Sequence, residues 1–282
     1  MKRDYYCHFT PKFQDGKLSR FAIKSIGRIE FMQLSSEYPS IYEELYDLPS
    51  KSTKVFNFLE TLNLGNSNVL DIGSGTGFIS NFLAERGYDV TGLEPDTDMY
   101  MFSVKKYVEK NKSLNFLNHD ALELPLGPNY GAIISIFNVF NYFKSLDYLE
   151  CVVKRISQSL IIGGSLIIET WNEEAVRRDP PQEKELFVPS ANFGLIKLHQ
   201  ATLCLEDLNF IMKTDISIIK EGQTSSGSYS FLTELKVFRR SLFIDVFRRN
   251  GLSLIEEADQ NSWIFHKRTN SWKIVQHFRR VH

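Results

Sequence analysis

The stretch VLDIGSGTGFISNFLAERG, residues 69–87, decides the fold class. It begins with a mostly apolar run, passes through three glycines at alternate positions, and continues with apolar residues at helical spacing up to Gly87. This order predicts a β-strand, a glycine loop and an α-helix that ends at Gly87. A glycine loop lets the backbone approach a ligand closely and leaves the first N–H groups of the helix available to it.

The same alternation of strand and helix continues to residue 170. Further strands are predicted at 89–94, 114–118, 132–136 and 165–170, and helices at 96–110 and 146–160. Strands separated by helices of this length imply right-handed crossovers, a parallel sheet and helices on both of its faces. The pattern therefore predicts a doubly wound α/β fold.

Ligands of such sheets bind beyond the carboxyl ends of the strands, so the residues that follow each strand are candidates for a site. Gly73, Gly75 and Gly77 follow the first strand, and Glu94 follows the second, nineteen residues beyond Gly75. Glu94 is placed for bidentate hydrogen bonding to a ribose diol, and Asp120, after the third strand, for an adenine amine. Taken alone, the glycine loop is as often a tight turn as a ligand site, and an acidic residue at the end of a strand is usually only solvated. Their order and spacing together favour a nucleoside site.

Two other nucleotide sites are disfavoured by what the loop lacks. The dinucleotide fingerprint G-x-G-x-x-G requires glycine where this chain has Phe78, and the sequence contains no GK[ST] phosphate loop. The sequence therefore argues against a nicotinamide cofactor and against a nucleoside triphosphate.

The core resembles the class I S-adenosylmethionine-dependent methyltransferases through VLDIGSGTGFIS (69–80), VTGLEPD (90–96), LNHDALELPL (117–126) and ISQSLIIGGSLIIE (156–169). The resemblance implies a seven-stranded, mostly parallel sheet, with S-adenosylmethionine as cofactor and S-adenosylhomocysteine as product. It departs from the family at Tyr130-Gly131, where an acidic residue is common. The cofactor-binding residues that it implies are Asp71, Gly73, Ser74, Gly75, Gly77, Glu94, Pro95, Asp120, Ala121 and Ile136.

Three further segments resemble the small-molecule branch that includes the amino-sugar N-methyltransferases: PSIYEELYD (39–47), SIFNVFNYF (135–143) and LTELKVF (232–238). In that branch an antiparallel β insertion after the fifth strand roofs the active site. Here β-rich stretches at 193–205, 208–220 and 228–238 suit such an insertion. The expected domains are a leader with a helical lid (1–64), a cofactor-binding core (65–180), the insertion (181–237), and a last helix with closing antiparallel strands (238–282).

The candidate catalytic residues are Tyr46, Asn138 and His199, and the candidate substrate-binding residues are Tyr42, Asn141, Tyr142 and Trp171. Methyl transfer is an in-line displacement that depends largely on positioning, and tyrosine or asparagine can aim the lone pair of an amine. The branch resemblance places Tyr46 over the methyl group. A tyrosine on an amphipathic helix is also a common core residue, however, and a lone histidine on a strand is also commonly structural. Residues 41–62 are predicted to form one or two helices, interrupted at Leu48-Pro49-Ser50.

Composition limits the remaining possibilities. The 282 residues carry a formal net charge of -1, and only the segment 236–282 is basic, with ten Lys/Arg and four Asp/Glu. The three cysteines form no CxxC pair, no metal-binding motif is present, and the longest apolar stretch, 132–143, is too short to span a membrane. We therefore expect a cytoplasmic monomer or homodimer that has no metal and binds neither membranes nor nucleic acid.

The expected function is S-adenosylmethionine-dependent methyl transfer to a small polar metabolite, most specifically the amine or a hydroxyl of a nucleotide-linked sugar. Two alternatives remain open. One is an RNA-modifying methyltransferase that uses the basic C-terminal segment, in which Arg239, Arg240, Lys267, Arg268, Lys273, Arg279 and Arg280 could contact phosphates. The other is a protein that binds S-adenosylmethionine without turning it over.

Overall fold

The computed structural model describes residues 13–14, 17–18, 37–64, 68–124, 127, 129–220, 227–266 and 270–282. Most of the leader before residue 37, the turn expected near 222–226, and Lys267 and Arg268 lie outside these residues. The earliest described elements are two short strands, β1 (Phe13–Gln14) and β2 (Lys17–Leu18), which pair antiparallel.

The central sheet has the order β13-β12-β14-β7-β6-β3-β4-β5. Its five parallel strands are β3 (Asn68–Ile72), β4 (Asp89–Leu93), β5 (Leu114–Leu117), β6 (Tyr130–Ser135) and β7 (Leu160–Trp171). Strands β12 (Leu252–Asp259) and β14 (Lys273–Arg280) continue the sheet in antiparallel pairs, and the two-residue β13 (Phe265–His266) extends its edge. The predicted seven-stranded, mostly parallel sheet is confirmed, with one short strand added.

Helices cover both faces of this sheet, as the alternation predicts. One face is covered by α2 (Leu48–Thr61), α3 (Phe78–Ala84) and α4 (Thr97–Tyr107), and the other by α5 (Leu146–Ser159) and α7 (Arg240–Arg249). Because successive strand residues point to opposite faces, Val69 packs with α2 and α3, whereas Leu70 packs with α5 and α7. Two buried cores, one on each face, therefore hold the sheet rigidly in place.

The helix break in the N-terminal region lies slightly before the predicted position. Helix α1 (Tyr38–Leu45) ends before Tyr46, and the Asp47 side chain caps α2 by accepting a hydrogen bond from the Ser50 N–H at 3.1 Å. Pro49 lies in the first turn of α2, where its missing N–H has no helical partner to lose. The proline therefore starts the second helix rather than interrupting one.

A second sheet follows the short helix α6 (Glu173–Arg178) and has the order β11-β10-β9-β8, all antiparallel. Its strands are β8 (Lys184–Ser190), β9 (Gly194–Cys204), β10 (Asn209–Ile219) and β11 (Gly227–Lys236). We call it the roof sheet. Three of its strands correspond to the predicted β-rich stretches, and β8 was not predicted. Ile196, Leu198 and Ile216 pack against Ile41 and Leu45 of α1, so that α1 lies under the roof sheet.

The order of the central strands places the topological switch between β3 and β6. The chain runs outward from β3 through β4 to β5, and then returns to the other side of β3 for β6 and β7. Loops that leave β3 and β6 therefore separate at their carboxyl ends and open a crevice there. Among the described residues, no helix is both long enough and apolar enough to cross a membrane.

Candidate functional site

The glycine loop after β3 lies at this crevice. The N–H groups of Gly73 and Ser74 both donate to the Leu93 carbonyl oxygen, at 2.8 and 3.1 Å, which fixes the loop to the end of β4. A Cβ at Gly73 would lie 2.5 Å from Val139 Cγ2, and one at Gly77 would lie 2.5 Å from Phe116 Cζ. A Cβ at Gly75 would meet no described atom within 4 Å. Gly73 and Gly77 thus allow neighbouring side chains to pack directly against the backbone of the loop, whereas Gly75 faces open space.

Glu94 joins the end of β4 to the glycine loop. Its Oε2 accepts a hydrogen bond from the Gly75 N–H at 2.8 Å, and its Oε1 accepts one from the Asp96 N–H at 2.9 Å. The residue is only 8% exposed, and burial raises the pKa of its carboxyl to about 7. Each carboxylate oxygen has a further lone pair, so ligand hydroxyls can still bind to Glu94.

Asp71 lies beneath the loop and contacts helix α3. Its Oδ2 accepts a hydrogen bond from Ser80 Oγ at 2.6 Å, and burial raises the pKa of its carboxyl to about 6 despite that bond. The described contact therefore anchors the start of α3 to β3. The nearby Ser74 Oγ is buried and has no hydrogen-bond partner among the described residues.

The residues predicted for adenine surround the end of β5. Asp120 Oδ1 accepts hydrogen bonds from the Leu122 N–H at 2.8 Å and from the Tyr148 hydroxyl at 2.5 Å, and the residue caps a short 3-10 helix that contains the buried Ala121. Pro95 is exposed beside them. Asn118, which the sequence analysis missed, donates to the carbonyl oxygens of Glu94 and Pro95 at 2.9 and 3.2 Å. Asn118 thereby ties the ends of β4 and β5 together.

Tyrosines from α1 meet the turn that follows β6. The ring centroids of Tyr42 and Tyr46 are 4.5 Å apart, and both rings contact Phe137, at 6.4 and 5.8 Å. Burial raises the pKa of Tyr42 well above its usual value of 10, and the neighbouring hydroxyls of Tyr46, Tyr38 and Tyr142 raise it further, followed by Glu94. The predicted tyrosines therefore lie together and within electrostatic reach of Glu94.

The turn itself has an unusual backbone. Phe137 and Asn138 have φ values of 61° and 64°, a left-handed conformation that costs free energy in residues other than glycine. Asn138 is 9% exposed, and its side-chain Oδ1 has no hydrogen-bond partner among the described residues. Ile136, which precedes the turn, is buried in the core. A strained turn with a buried, unpaired acceptor is a feature of functional sites.

Asn141 and Trp171 have structural contacts instead of the predicted contacts with substrate. The Asn141 side chain donates to the Lys236 carbonyl oxygen at 2.8 Å and accepts from the Trp171 N–H at 3.0 Å, which uses both ends of its amide. The Trp171 ring packs on Phe210 and Trp272. Asn141 thereby holds the roof sheet against the core, and we do not propose it for substrate binding.

His199 does not reach the tyrosines. It lies on β9 next to Leu198, whose side chain packs toward α1, and successive side chains of a strand point to opposite faces. His199 Nε2 is 2.6 Å from Glu183 Oε1, and its Nδ1 is 3.6 Å from Asp215 Oδ2, on the outer face of the roof sheet. This position does not favour His199 as a general base, and we do not propose that role for it.

Ion pairs and hydrogen bonds hold α1 between the core and the roof sheet. Glu43 of α1 pairs with Lys106 of α4, Asn192 Nδ2 donates to Glu44 Oε1 at 2.8 Å, and the Tyr229 hydroxyl donates to Glu37 Oε2 at 2.8 Å. These contacts could not be predicted from the sequence, because the partners lie far apart in the chain and follow no local pattern. They fix the helix that carries Tyr42. Among the described residues, no cluster of three His, Cys, Asp or Glu side chains is suited to a metal ion.

Comparisons with known proteins agree with this arrangement. Residues 70–168 match the family model of a methyltransferase domain. The chain is 32% identical to the ribosomal RNA small subunit methyltransferase A of Mesomycoplasma hyopneumoniae strain J over 107 residues, which are 34% of this chain and 40% of that protein. It is 24% identical to the dTDP-3-amino-3,4,6-trideoxy-alpha-D-glucopyranose N,N-dimethyltransferase of Streptomyces venezuelae over 141 residues, 48% of this chain and 57% of that protein.

The structural likeness extends further than the sequence matches. A crystal structure of a S-adenosylmethionine-dependent methyltransferase from Clostridium acetobutylicum aligns with a TM-score of 0.71 and 15% identity, over 86% of this chain and 97% of that one. The sequence matches span only about two fifths to three fifths of the two curated relatives. At this identity the likeness establishes the fold, and the predicted fold class is confirmed.

Proposed function

We propose that this chain, whose residues 70–168 match a methyltransferase domain and whose fold is similar to that of a S-adenosylmethionine-dependent methyltransferase, methylates the amine of a small polar metabolite. The observation that carries the proposal is the buried Oδ1 of Asn138, which has no partner among the described residues and follows Phe137, whose ring contacts those of Tyr42 and Tyr46. An acceptor oxygen without a partner is complementary to an N–H group of a bound amine.

The loop and its neighbours fit the cofactor. The open space at Gly75 admits a ligand against the backbone, and Ser74 Oγ is a buried hydroxyl without a described partner. We propose Glu94 for the ribose hydroxyls, and Asp120 with Ala121 for the adenine edge. When bound, S-adenosylmethionine would supply an activated methyl group for in-line transfer to a lone pair of the acceptor, with S-adenosylhomocysteine as the leaving group.

The tyrosines favour an amine over a hydroxyl as acceptor. Methylation of an alcohol requires a base in the transition state, whereas a neutral amine already carries its lone pair. Tyr42 and Tyr46 have raised pKa values because they are buried, so both remain protonated at neutral pH. His199 points away from them. Tyr46 and Asn138 can therefore aim an amine by accepting its N–H hydrogen bonds, without acting as a base.

A groove beside Tyr142 suits a larger, anionic part of the acceptor. The groove lies between the turn after β6 and the roof sheet. Tyr142 is 47% exposed there, and its hydroxyl interacts electrostatically with those of Tyr42 and Tyr46, so this residue connects the groove with the tyrosines. The groove is lined by Tyr142, Lys144, Leu205, Asn209, Phe210, Ile211, Glu234, Leu235 and Lys236.

The chemistry of this lining supports a nucleotide-linked sugar. Phe210, Ile211 and Leu235 line the groove but are almost fully buried, whereas the exposed ring of Tyr142 offers a surface on which a planar base can pack. Lys144 and Lys236 contribute two ammonium groups to its rim, and each has an acidic neighbour, Glu234 at 2.7 Å from Lys144 and Asp207 at 3.8 Å from Lys236. An exposed aromatic ring beside two lysines supports a base followed by phosphate groups as the occupant. The similarity to the dTDP-amino-sugar N,N-dimethyltransferase supports the same acceptor class.

The similarity to a ribosomal RNA methyltransferase makes RNA the second candidate acceptor. The described basic residues of the C-terminal segment argue against it, because several pair with acidic residues of the same chain. Arg240 lies 2.8 Å from Glu257, Arg239 lies 3.6 Å from Asp207, and Arg249 lies 2.6 Å from Asp245. Arginines that are paired internally have less charge available for phosphates.

A transfer assay with methyl-labelled S-adenosylmethionine tests the proposal and its rival together. The acceptors are dTDP- and UDP-linked amino sugars, the same sugars without the nucleotide, and bulk tRNA. We expect label on the nucleotide-linked amines. Label on tRNA alone would contradict the proposed acceptor, and label on the free sugars alone would contradict the nucleotide part of it.

A further inference from the structure

A buried ion pair outside the proposed contacts lies directly below the strained turn. Lys51 of α2 and Glu169 of β7 are 9% and 1% exposed, and Lys51 Nζ lies 2.9 Å from Glu169 Oε2. Burying both charges carries a large desolvation cost, so a buried pair is weak evidence of a gain in stability. This raises the question of what the pair does for the site.

Glu169 also holds the turn itself. Its Oε2 accepts a hydrogen bond from the Phe137 N–H at 3.4 Å, a long bond that the charge of the carboxylate strengthens. Lys51 Nζ lies 5.5 Å from the centre of the Phe137 ring, within the range of a cation–π interaction. The pair therefore contacts both the backbone and the ring of the first left-handed residue.

The same pair connects the turn to the helices that carry the tyrosines. Lys51 lies in the first turn of α2, just after Tyr46, and Glu169 lies beside the end of β6, where Ser135 pairs with Ile168. Phe137 in turn packs against the rings of Tyr42 and Tyr46. The position of α1 and α2 is thus linked to the backbone conformation that presents Asn138.

From this geometry we propose that Lys51 and Glu169 are positioning residues, which hold the Phe137–Asn138 turn in its left-handed conformation and so aim the Asn138 amide at the acceptor. The turn is strained in isolation, and Glu169 and Lys51 supply compensating contacts at Phe137. This role rests on the proposed function of Asn138, and it concerns the rate of transfer rather than cofactor binding.

Two double variants separate the role of the contact from that of the charges. Lys51→Met with Glu169→Leu removes the ion pair and the acceptor for the Phe137 N–H while keeping similar side-chain volumes. Lys51→Met with Glu169→Gln removes the charges but leaves an amide oxygen that can accept from the same N–H. The control is Arg240→Met with Glu257→Gln, an ion pair in which Glu257 is buried and Arg240 is partly exposed, and which involves α7 on the opposite face of the sheet.

We expect the first variant to lower kcat about 10- to 100-fold, since small misplacements of reacting groups have effects of this size. The second should recover part of kcat, because it restores an acceptor for the Phe137 N–H but not the contact of Lys51 with the Phe137 ring, and the control should leave kcat within about twofold of the wild type. Affinity for S-adenosylhomocysteine should stay unchanged in all three. An equal loss of kcat in both Lys51 variants would overturn the proposal, because a merely structural pair would give that result.

Crystal structures of the wild type and the first variant decide the matter independently of activity. We expect the Phe137 and Asn138 φ values to leave the left-handed region in the variant. An unchanged turn would overturn the positioning role even in an active enzyme. If the wild type transfers no methyl group to any acceptor, the proposed function fails, but the comparison of the two turns still tests this inference.

Discussion

Glu94 carries the proposed ribose contact, and its protonation gives that contact a pH dependence. In the ligand-free protein burial raises the pKa of its carboxyl to about 7 from the usual 4.5. The stability that the protonated form contributes is therefore complete below pH 4.5 and is lost as the pH rises through about 7. Ribose hydroxyls donate more strongly to a carboxylate than to a carboxyl group, so cofactor binding should favour the charged form.

We therefore predict that affinity for S-adenosylhomocysteine rises between pH 6 and pH 8 and that binding releases a proton from Glu94. Calorimetry in buffers of different ionisation enthalpy measures both quantities. Glu94→Ala should weaken binding at pH 8 by about 1–3 kcal/mol, the cost of losing hydrogen bonds to a charged group. The same pH dependence in Glu94→Gln would show that another group is responsible.

Tyr46 is the residue whose effect should fall on turnover alone. If its hydroxyl accepts an N–H bond from the amine, Tyr46→Phe should lower kcat by about tenfold, which corresponds to one hydrogen bond of about 1.4 kcal/mol. Titration of S-adenosylhomocysteine should give the wild-type affinity. The matched control is Tyr88→Phe, which removes a tyrosine hydroxyl that donates to Glu60 at 2.7 Å, away from the site. Parallel losses of kcat and cofactor affinity in Tyr46→Phe would show a structural tyrosine.

At the scale of elements, two glycines with positive φ allow the effect of backbone strain to be measured apart from the effect of blocking the ligand. Gly75 has φ 56° and Gly87 has φ 96°, and an added Cβ meets no described atom within 4 Å at either. Gly75→Ala and Gly87→Ala should each lower the free energy of unfolding by roughly 1–2 kcal/mol through left-handed strain. Only Gly75→Ala should also weaken cofactor binding, by about tenfold or more, since its methyl group occupies the space beside the ligand. Unchanged affinity in Gly75→Ala would place the cofactor elsewhere.

The elements that could be predicted from sequence are those with a strong local pattern. Strands β3 to β7 are mostly continuous apolar runs bounded by glycine, acidic or amide residues, and their helices have a clear period. Strand β8, KELFVPS, was missed because it is charged and contains Pro189. It forms the edge of the roof sheet, where a strand tolerates proline because one side of its backbone needs no partner.

Residues of the candidate site could likewise be predicted only where a local sequence pattern marks them. The position of Glu94 could be predicted because the loop and the end of β4 recur at a fixed spacing, and the structure joins Glu94 to Gly75 directly. The outward position of His199 could have been predicted from the alternation of β9, because the apolar residues Ile196 and Leu198 occupy the other face. Lys51 and Glu169 are 118 residues apart in the sequence, and no local pattern predicts a contact at that separation.

At the scale of the whole molecule, we keep the proposal of four segments, with the core at 65–180 and the insertion at 181–237. The groove between the core and the roof sheet gives this division a functional test. Lys236 of β11 lines the groove, and its Nζ donates to Asn209 Oδ1 at 3.1 Å. We predict that Lys236→Met raises KM for a nucleotide-linked acceptor about tenfold, from the loss of a charged contact with phosphate.

Steady-state kinetics with a nucleotide-linked acceptor measures that change, and Lys105→Met, an exposed lysine on α4, is the control. Affinity for S-adenosylhomocysteine should be the same in both variants. If KM for the nucleotide-linked acceptor does not change in Lys236→Met, the phosphate groups bind elsewhere.

The central claim is that the crevice between β3 and β6 binds the methyl donor, and one titration tests it most directly. S-adenosylhomocysteine is titrated by calorimetry into the purified wild-type protein at pH 8, where Glu94 is charged. We predict one site per chain with a dissociation constant on the order of micromolar, about −8 kcal/mol of binding free energy. The absence of binding would contradict the assignment of the glycine loop and Glu94 to the cofactor, and with it the proposed methyl transfer.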